Sequence, residues 1–338
     1  MESPGGGSRP LPAGKLPNEL LERLLDQLPS APPEVRLGAR IGEDACALEL
    51  PAGLLVAAAD PITLTSSDAG ALAVVVNAND VAVTGARPRW FLSVVLVPPG
   101  TTENAVEELF RSIRDALAKI GAHLVGGHTE VTPAVTRPVV VGQMLGVAES
   151  RLVATGGCRP GDAVVQVRPA PIEGAAVLAR APGAVMVPPA LLEQALAALD
   201  RPGVSIVEPA LLATELGATA LHDPTEGGLA GGLHELARAD GHGIVVDRET
   251  VLWFEPGVAV CTALGADPWC TLASGTLLAT FPGSAAAGVC RELVGAGHEA
   301  ALIGSVVDGD GVIDSSGAPI PWPDRDEVAR LLSGEEEA

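Results

Sequence analysis

The sequence predicts a chain of two α+β domains, and three observations support this fold class. The chain has 338 residues, a length typical of about two domains, and 47% of its residues are hydrophobic, which is enough for two cores. Segments with strand patterns and segments with helix patterns alternate irregularly along both halves. The pattern breaks within residues 151–160, where Gly156 and Gly157 are followed by Pro160. We therefore predict a disordered arm at residues 1–14, a first domain at 15–150, a second domain at 151–330 and an acidic tail at 331–338.

The charge of the chain restricts its partners. Acidic residues outnumber basic ones by 42 to 21, which gives a formal net charge of −21. Such a surface repels nucleic acid and anionic membranes, and no apolar segment has the length of a membrane span. The five cysteines form no Cys-x-x-Cys pair and the six histidines are scattered, so the sequence predicts neither a disulfide framework nor a zinc site. We expect a cytoplasmic protein that binds neither nucleic acid nor membranes.

Hydrophobic periodicity and capping residues predict the elements of the first domain. A helix is expected at residues 15–28, because leucines recur there on one face. A second helix follows Thr102, a good N-cap, and ends at Gly121, since glycine accepts the left-handed conformation that closes helices. Apolar runs predict strands at Leu54–Ala59, Trp90–Val97, His123–Val125 and Val139–Val147.

The second domain shows the same mixture of elements. Helices are expected to begin after Ile172 and at Gly228. Further helices are predicted at residues 189–199, 208–216 and 285–296, and strands at Ala163–Val167, Gly243–Val246, Leu277–Phe281 and Ala301–Val306.

The stretch from Asn77 to Pro88 is the first candidate site. It follows an Ala/Val-rich helix pattern, and Asn77 and Asp80 lie three residues apart, on one helical face. A carboxamide and a carboxylate on such a helix are costly to bury unless a partner engages them. A polar helix face turned to water explains this stretch equally well. Gly85 ends the helix and Pro88 prevents its return.

Other acidic residues lie near the ends of predicted strands. Glu43 and Asp44 precede one strand and Asp60 ends the next. Together with Asn77 and Asp80 they form an all-oxygen set, which is typical of Mg²⁺ rather than of zinc. Solvated turns remain the alternative for each position taken singly. No P-loop is present, since Gly14-Lys15 is followed by Leu16 and lacks the required earlier glycine.

Two glycine pairs complete the set of candidate motifs. Gly126 and Gly127 follow a short strand and precede His128, Thr129 and Glu130, so the backbone there could approach a ligand closely. An ordinary tight turn is the alternative. The segment His222-Asp223-Pro224-Thr225-Glu226-Gly227-Gly228 opens a helix whose first N–H groups could receive an anion. Capping by Asp223 or Thr225 is the alternative for this second segment.

In this order the motifs resemble the AIR (aminoimidazole ribonucleotide) synthase superfamily. Gly42–Ala45, Asp60, residues 77–88 and Gly126–Thr129 are similar to its amino domain. Residues 159–162, 172–174 and 222–228 are similar to its carboxyl domain, and the resemblance covers about Lys15 to Asp308. The superfamily includes AIR synthase, thiamine-monophosphate kinase, selenophosphate synthetase and the E-type hydrogenase maturation factor. The resemblance implies a two-domain PurM-like architecture, in which an amino-terminal α/β domain forms a dimeric sheet or barrel and an α+β domain follows.

The resemblance also implies an activity, cofactors and site residues. The expected enzyme uses ATP and Mg²⁺ to transfer a phosphoryl group to an oxygen of an unidentified small-molecule or protein-bound acceptor. Lys15 would reach the phosphates, and residues 222–228 would line the acceptor pocket. The expected catalytic residues are Asp80, His128 and Thr225, and the expected metal ligands are Asp44, Asp60, Asp80 and Glu130. The expected cofactor-binding residues are Lys15, Asp44, Asp60, Asn77, Asp80, Gly126, Gly127, His222, Asp223, Thr225, Gly227 and Gly228.

Two departures from the superfamily pattern leave alternatives open. His128 stands where several members carry an acidic residue, so either His128 or Glu130 would be the ligand at this point. The chain ends at Ser333–Ala338 without the cysteine that carries the maturation factor's substrate, so a different chemistry is expected. The alternatives are a thiamine-monophosphate-kinase-like activity and a non-catalytic nucleotide-binding subunit of a metalloenzyme maturation complex. A homodimer is expected, with a maturation-complex protein as a further candidate partner.

Overall fold

A computed structural model describes residues 11, 14–15, 18–37, 47–50, 53–62, 68–149 and 151–333. The chain divides into two compact units, one formed by residues 1–81 and 86–150 and the other by residues 82–85 and 151–338. Each unit has its own β-sheet flanked by helices, so the predicted α+β class is confirmed. No helix within the described residues is both long enough and apolar enough to cross a bilayer.

The first unit contains a five-stranded sheet. Its described elements are β1 (Gly14–Lys15), α1 (Asn18–Leu25), β2 (Val35–Leu37), β3 (Ala47–Leu48), β4 (Leu54–Ile62), α2 (Ala69–Ala82), β5 (Arg87–Val97), α3 (Glu103–Ile120), β6 (His123–Val131) and β7 (Val139–Ala148). The strand order is β1-β6-β5-β7-β4. Strands β5 and β6 are parallel and the other neighbours are antiparallel, while β2 and β3 pair with each other.

Small residues let α2 pack closely on this sheet and on α3. A Cβ atom at Gly142 of β7 would lie 2.4 Å from the Asn77 Nδ2 atom of α2. A Cβ atom at Gly70 of α2 would lie 2.2 Å from the Ser112 Oγ atom of α3. Both distances are shorter than any real Cβ contact, so only glycine allows this approach of helix and sheet.

The opposite face of the sheet carries apolar side chains that are only partly buried. They include Leu92, Val94 and Leu96 of β5 and Val141 and Leu145 of β7. The β2–β3 pair covers one end of this face, where Val35 and Leu48 pack around the fully buried Trp90.

Several predicted boundaries in this unit were wrong. Strand β4 does not end at Asp60 but continues through it to Ile62, because β7 pairs with it along that length, and β5 begins at Arg87 rather than at Trp90. Helix α1 begins at Asn18, after Pro17, because proline disfavours the helical conformation in the residue before it. Lys15 therefore lies in β1, paired in register with Glu130 of β6. Strand β6 does not end at Val125 but continues through Gly126 and Gly127 to Val131, because β5 provides a parallel partner along its whole length.

The second unit contains a six-stranded sheet. Its strands are β8 (Asp162–Val167), β9 (Ala220–His222), β10 (Gly243–Val246), β11 (Leu277–Pro282), β12 (Ala300–Val307) and β13 (Gly311–Asp314). Their order in the sheet is β13-β10-β12-β8-β11-β9. Its described α-helices are α4 (Glu173–Leu178), α5 (Pro189–Leu196), α6 (Val207–Glu215), α7 (Gly228–Asp240), α8 (Glu255–Leu264), α9 (Ala286–Gly295) and α10 (Glu327–Ser333). Leu229, Leu233 and Leu236 of α7 are fully buried in the main core of this unit.

Candidate functional site

Asn77 joins helix α2 to strand β4. Its Oδ1 atom accepts a hydrogen bond from the Asp60 N–H at 2.8 Å. Its Nδ2 group donates to the Asp60 carbonyl at 3.2 Å and to the Ala73 carbonyl at 2.8 Å. Strand β4 lies at the edge of the sheet, and the N–H and carbonyl of Asp60 point to its open side, away from β7. The Asn77 carboxamide binds both groups there, as a neighbouring strand would. Asn77 is fully buried and thereby fixes the position of Asp60.

Two carboxylates flank this connection. Asp60 is exposed on β4, and its carboxylate forms no ion pair or hydrogen bond with any described residue. Asp80 is half-buried on α2, three residues beyond Asn77 and on the same side of the helix. Both carboxylates are thus carried by regular elements, Asp60 by β4 and Asp80 by α2, next to Asn77 in the fold or in the sequence.

This arrangement suits Mg²⁺ bound together with a phosphate. Mg²⁺ is usually held by one or two carboxylates and completes its octahedron with water and substrate phosphate oxygens. No group of three His, Cys, Asp or Glu that could hold a metal alone occurs in the described part of the chain. If Asp60 and Asp80 held one Mg²⁺, they would supply two ligands and not a complete site. Asp44 and the rest of residues 38–46 lie outside the described residues.

His128 and Glu130 lie elsewhere on the sheet. Their side chains are 46% and 42% exposed, with His128 Nε2 3.6 Å from Glu130 Oε2. In the pairing of β6 with β5, His128 lies beside Val94 and Glu130 lies beside Leu96. Both side chains are therefore on the sheet face opposite α2. Asp60 lies on the α2 side, three strands away or about 14 Å across the sheet. Within one chain the structure does not bring Glu130 and His128 together with Asp60.

The first glycine pair has a packing explanation. Gly127 has a φ of +146°, and a Cβ atom there would lie 2.1 Å from the Ser93 carbonyl oxygen of β5. A β-bulge beside Gly126 shifts the register of β6 against β5. Glycine is therefore required for strand packing at 127, whether or not a ligand approaches.

Segment 222–228 connects β9 to α7 in the second unit. His222 Nε2 lies 2.8 Å from Glu235 Oε2 of α7, so this histidine ties the strand end to the helix. The Thr225 carbonyl accepts hydrogen bonds from the N–H groups of Gly228 and Ala273, both at 3.1 Å. The half-buried Thr225 hydroxyl forms no hydrogen bond within the described residues. The turn is thus held by its backbone, which leaves the Thr225 hydroxyl available to a ligand.

The second glycine pair supports a turn that starts α7. Both residues are left-handed, with φ values of +81° at Gly227 and +67° at Gly228. The Gly227 N–H donates to Asp326 Oδ2 at 2.9 Å. Neither Asp223 nor Thr225 is the cap of this amide. The carboxylate that occupies the predicted anion position comes from a residue 99 positions later in the chain.

Asp326 belongs to a group of three carboxyl groups around this turn, with Glu173 of α4 and Glu226. Glu173 and Asp326 are 8% and 7% exposed, whereas Glu226 is exposed. Burial raises the pKa of Glu173 to about 7, partly offset by a hydrogen bond with Ser274, while Glu226 and Asp326 add repulsion. Burial likewise raises the pKa of Asp326 to about 6, opposed by the Gly227 and Val328 amides. No described Lys, Arg or His pairs with these three groups.

The raised pKa of Glu173 predicts a pH-dependent stability. Between about pH 4.5 and pH 7 the folded protein retains a proton on Glu173 that the unfolded chain releases. The contribution of this group to the free energy of unfolding is therefore complete below about pH 4.5 and is lost as pH rises to about 7. Glu173→Gln imitates the protonated form. We expect the variant to exceed the wild type in free energy of unfolding by roughly 3 kcal/mol at pH 8 and by little at pH 4.5.

Urea denaturation at pH 4.5 and pH 8 measures this difference. Glu292→Gln, on the exposed face of α9, is the matched control and should track the wild type at both pH values. A Glu173→Gln variant that is less stable than wild type at pH 8 would show that the folded protein needs the charged carboxylate.

Sequence reasoning missed Glu173 as a titrating group and missed Asp326 entirely. Asp326 followed by Glu327 is a helix-start pattern, so the cap of α10 could have been predicted from local sequence. The hydrogen bond that Asp326 accepts from the Gly227 N–H has no signal in the nearby sequence.

Comparisons with known proteins agree with this architecture. The profile described as AIR synthase related protein, N-terminal domain, matches residues 42–148, and that described as AIR synthase related protein, C-terminal domain, matches residues 159–315. Carbamoyl dehydratase HypE of Rhodobacter capsulatus is 30% identical over 292 residues, which cover 84% of this chain and 81% of the relative.

Two solved structures share the fold. Hydrogenase maturation protein HypE in complex with ATP superimposes with a TM-score of 0.74 and 24% identity, over 91% of this chain and 96% of that chain. Thiamine-monophosphate kinase from Stenotrophomonas maltophilia gives a TM-score of 0.69 and 20% identity, over 89% and 95% of the two chains. These likenesses confirm the predicted two-domain fold.

Proposed function

The chain belongs to the AIR synthase-related family. We propose that it is an ATP-dependent enzyme that transfers the γ-phosphoryl group of ATP to an acceptor oxygen with the help of Mg²⁺. The ATP in the HypE structure and the kinase activity named for the thiamine-monophosphate relative support the use of ATP. In this proposal residues 15–150 bind the nucleotide and residues 151–330 contact the acceptor.

The position of Asp60 is the observation that carries the proposal. A carboxylate without a described partner, whose backbone is fixed by a buried carboxamide, is preorganised for a ligand that brings positive charge. In a chain with a net charge of −21, metal ions rather than Lys or Arg clusters would neutralise the phosphates. When bound, Mg²⁺ would supply that positive charge at Asp60 and Asp80. Asn77 positions Asp60 and takes no direct part.

The Thr225 hydroxyl is the proposed acceptor contact in the second unit. Because it forms no bond within the described residues, Thr225→Ala should leave the melting temperature within about 1 °C of wild type. Turnover in the presence of acceptor should fall about tenfold or more, whereas ATP affinity should be unchanged, because a contact made only to the acceptor is lost. Melting, calorimetric ATP binding and ATP consumption test this expectation.

Thr225→Ser is the matched control, since it retains the hydroxyl, and it should keep most of the turnover. A lower melting temperature with unchanged turnover would instead assign Thr225 a purely structural role.

We further propose that the chain is a homodimer formed through the open face of the first sheet. Val94 and Val141 lie side by side at the centre of this face and are only partly buried. Leu92, Leu96 and Leu145 extend the apolar surface, while Gln143 of β7 and His128 and Glu130 of β6 add polar side chains to the same face. An apolar sheet face of this kind is normally covered. Light scattering should therefore give twice the monomer mass of 34.1 kDa at micromolar concentration.

Val94→Asp places an unpaired charge on this face and should shift the mass to that of the monomer. Val294→Asp introduces the same change at a 54% exposed position on α9 and should remain dimeric. A wild-type protein that is monomeric under these conditions would contradict the proposed dimer.

A nucleotide-binding subunit without turnover is the alternative function. A solved HypE–HypF complex contains a chain with the same fold, at a TM-score of 0.66 and 22% identity, so a role in a protein complex is the second candidate. ATP consumption by the purified chain, abolished by EDTA, would favour the enzyme. Mg²⁺-dependent ATP binding without consumption would favour the subunit.

A further inference from the structure

His222 at the end of β9 is bonded to a carboxylate of α7. Its Nε2 atom lies 2.8 Å from Glu235 Oε2, and the two side chains are 16% and 51% exposed. An ionised carboxylate can only accept hydrogen bonds, so Nε2 carries the ring proton. In the neutral ring, Nδ1 is then the atom with the lone pair. The contact with Glu235 therefore fixes which nitrogen of His222 can take up a proton.

Residues 153–157 place a hydroxyl on the other side of this ring. Gly157 has a φ of +148°, and a Cβ atom there would lie 2.3 Å from the Thr219 carbonyl oxygen, just before β9. Only glycine allows so close an approach, which brings the segment against β9. Thr155 Oγ1 lies 3.5 Å from His222 Nδ1, at the outer limit of a hydrogen bond. No other described residue is hydrogen-bonded to Nδ1, so this nitrogen can accept a proton from a ligand.

His234 of α7 provides a contrast within the same unit. It is 7% exposed, its Nε2 atom lies 3.0 Å from the Ile320 carbonyl oxygen, and its ring stacks on Trp322. A backbone carbonyl satisfies one N–H of a neutral ring but carries no charge. A carboxylate also stabilises the imidazolium that forms when the opposite nitrogen accepts a proton. The His222–Glu235 pair thus has the arrangement of a general base with its orienting carboxylate, which His234 lacks.

The turn that follows β9 disfavours an anionic acceptor. Glu173, Glu226 and Asp326 lie around it, and no Lys, Arg or His in the described part of the chain pairs with any of them. In the proposed reaction the phosphates of ATP arrive with Mg²⁺, whereas an acceptor brings no such counterion. The carboxylates repel a phosphate ester or a carboxylate, and a neutral or positively charged molecule avoids this repulsion. The Thr225 hydroxyl of the same turn can hydrogen-bond to such a molecule without charge.

We infer that the phosphoryl acceptor is a neutral or cationic alcohol and that His222 is the general base that deprotonates it, with Glu235 as a positioning residue. The inference rests on the proposed phosphoryl transfer and names the acceptor class that it leaves open. The hydroxyl oxygen bonds to the γ-phosphorus of ATP, the bond from this phosphorus to the β–γ bridging oxygen breaks, and ADP leaves with the electron pair. The hydroxyl proton passes to His222 Nδ1 and from there to water. A phosphate or carboxylate oxygen, ionised at neutral pH, would have no proton for this base to take.

Nitrogen-15 NMR of the full-length chain tests the tautomer without ATP or acceptor. The His222 ring signals, identified by their loss in His222→Gln, should show a protonated Nε2 and an unprotonated Nδ1 at pH 8. In Glu235→Gln the ring should lose this preference, because a carboxamide can either donate or accept. Glu193→Gln, at an exposed position of α5, is the matched control and should leave the signals unchanged. A wild-type ring that is protonated on Nδ1 would overturn the assignment of the base.

ATP hydrolysis without acceptor, in which water is the hydroxyl probe, tests the chemical role. His222→Gln should lower kcat about 100-fold and Glu235→Gln about tenfold. The Kd of Mg²⁺–ATP, measured by calorimetry, should be unchanged in both variants, because the two residues act on the attacking oxygen. Glu235→Asp should restore part of the loss, and Glu193→Gln should keep the wild-type kcat. A His222 that only tied β9 to α7 would lower the melting temperature on substitution and leave kcat unchanged.

Two results would overturn the inference while the proposed function stands. One is a folded His222→Gln variant with the wild-type kcat. The other is ATP consumption that is stimulated by thiamine monophosphate but not by thiamine, which carries a hydroxyl in place of the phosphate. If His222→Gln does not fold, Glu235→Gln and the wild-type NMR signals decide the question. A wild type that consumes no ATP would contradict the proposed function and the inference together, so the two failures are distinguishable.

Discussion

Asp60→Asn and Asp80→Asn should each lower Mg²⁺-dependent ATP turnover by about 100-fold or more, which corresponds to roughly 3 kcal/mol. Each change removes one negative ligand while keeping the size of the side chain. The Asp60 carboxylate has no partner among the described residues. Asp60→Asn should therefore weaken metal binding without destabilising the fold. Steady-state ATP consumption at several Mg²⁺ concentrations measures the loss.

Stability distinguishes this effect from misfolding. The free energy of unfolding of Asp60→Asn should stay within about 0.5 kcal/mol of wild type, as for other exposed positions. Asp115→Asn is the matched control, since Asp115 is a 59% exposed carboxylate on α3 of the same unit. Wild-type turnover in Asp60→Asn would remove Asp60 from the proposed site.

Asn77→Ala should have the opposite signature, a large loss of stability. The change deletes one buried and two part-buried hydrogen bonds and leaves the Asp60 N–H and carbonyl without a protein partner at the sheet edge. At about 1 kcal/mol for each bond, with a further term for the cavity, we expect a loss of roughly 3–4 kcal/mol in the free energy of unfolding. Chemical denaturation followed by circular dichroism measures it.

Asn104→Ala, at an exposed position on α3, should cost less than about 1 kcal/mol and serves as the control. ATP binding should also weaken in Asn77→Ala, because Asp60 is no longer fixed. A stable Asn77→Ala protein that has lost ATP binding would show that the carboxamide contacts the nucleotide directly.

Elements defined by local signals were predicted well from the sequence. Helix α3 is one example, since the Thr102 hydroxyl accepts from the Ala105 N–H at 3.3 Å and Gly121 ends the helix with a φ of +69°. Capping and left-handed closure depend on residues within one helical turn, so the sequence shows them directly. The family resemblance rested on an ordered set of such local motifs, and the fold it implied is confirmed.

Contacts between distant segments could not be predicted in this way. The sequence placed Asn77 beside Asp80 but could not show that its carboxamide would bind the backbone of β4. It placed an anion at the start of α7 but could not show that Asp326 would supply one. Lys15 was assigned to a helix, because its pairing with Glu130 depends on a strand more than 100 residues away. In each case a long-range partner decides what a locally recognisable residue does.

Calorimetric titration of the wild-type protein with ATP, in Mg²⁺ and in EDTA, tests the central claim most directly. Two carboxylates and an acidic chain cannot bind a nucleotide without a cation, so the account predicts binding in Mg²⁺ and an affinity at least about 100-fold lower in EDTA. Asp60→Asn in Mg²⁺ should resemble the wild type in EDTA. Equal ATP affinity with and without Mg²⁺ would contradict the assignment of Asp60 and Asp80 to the metal–phosphate site.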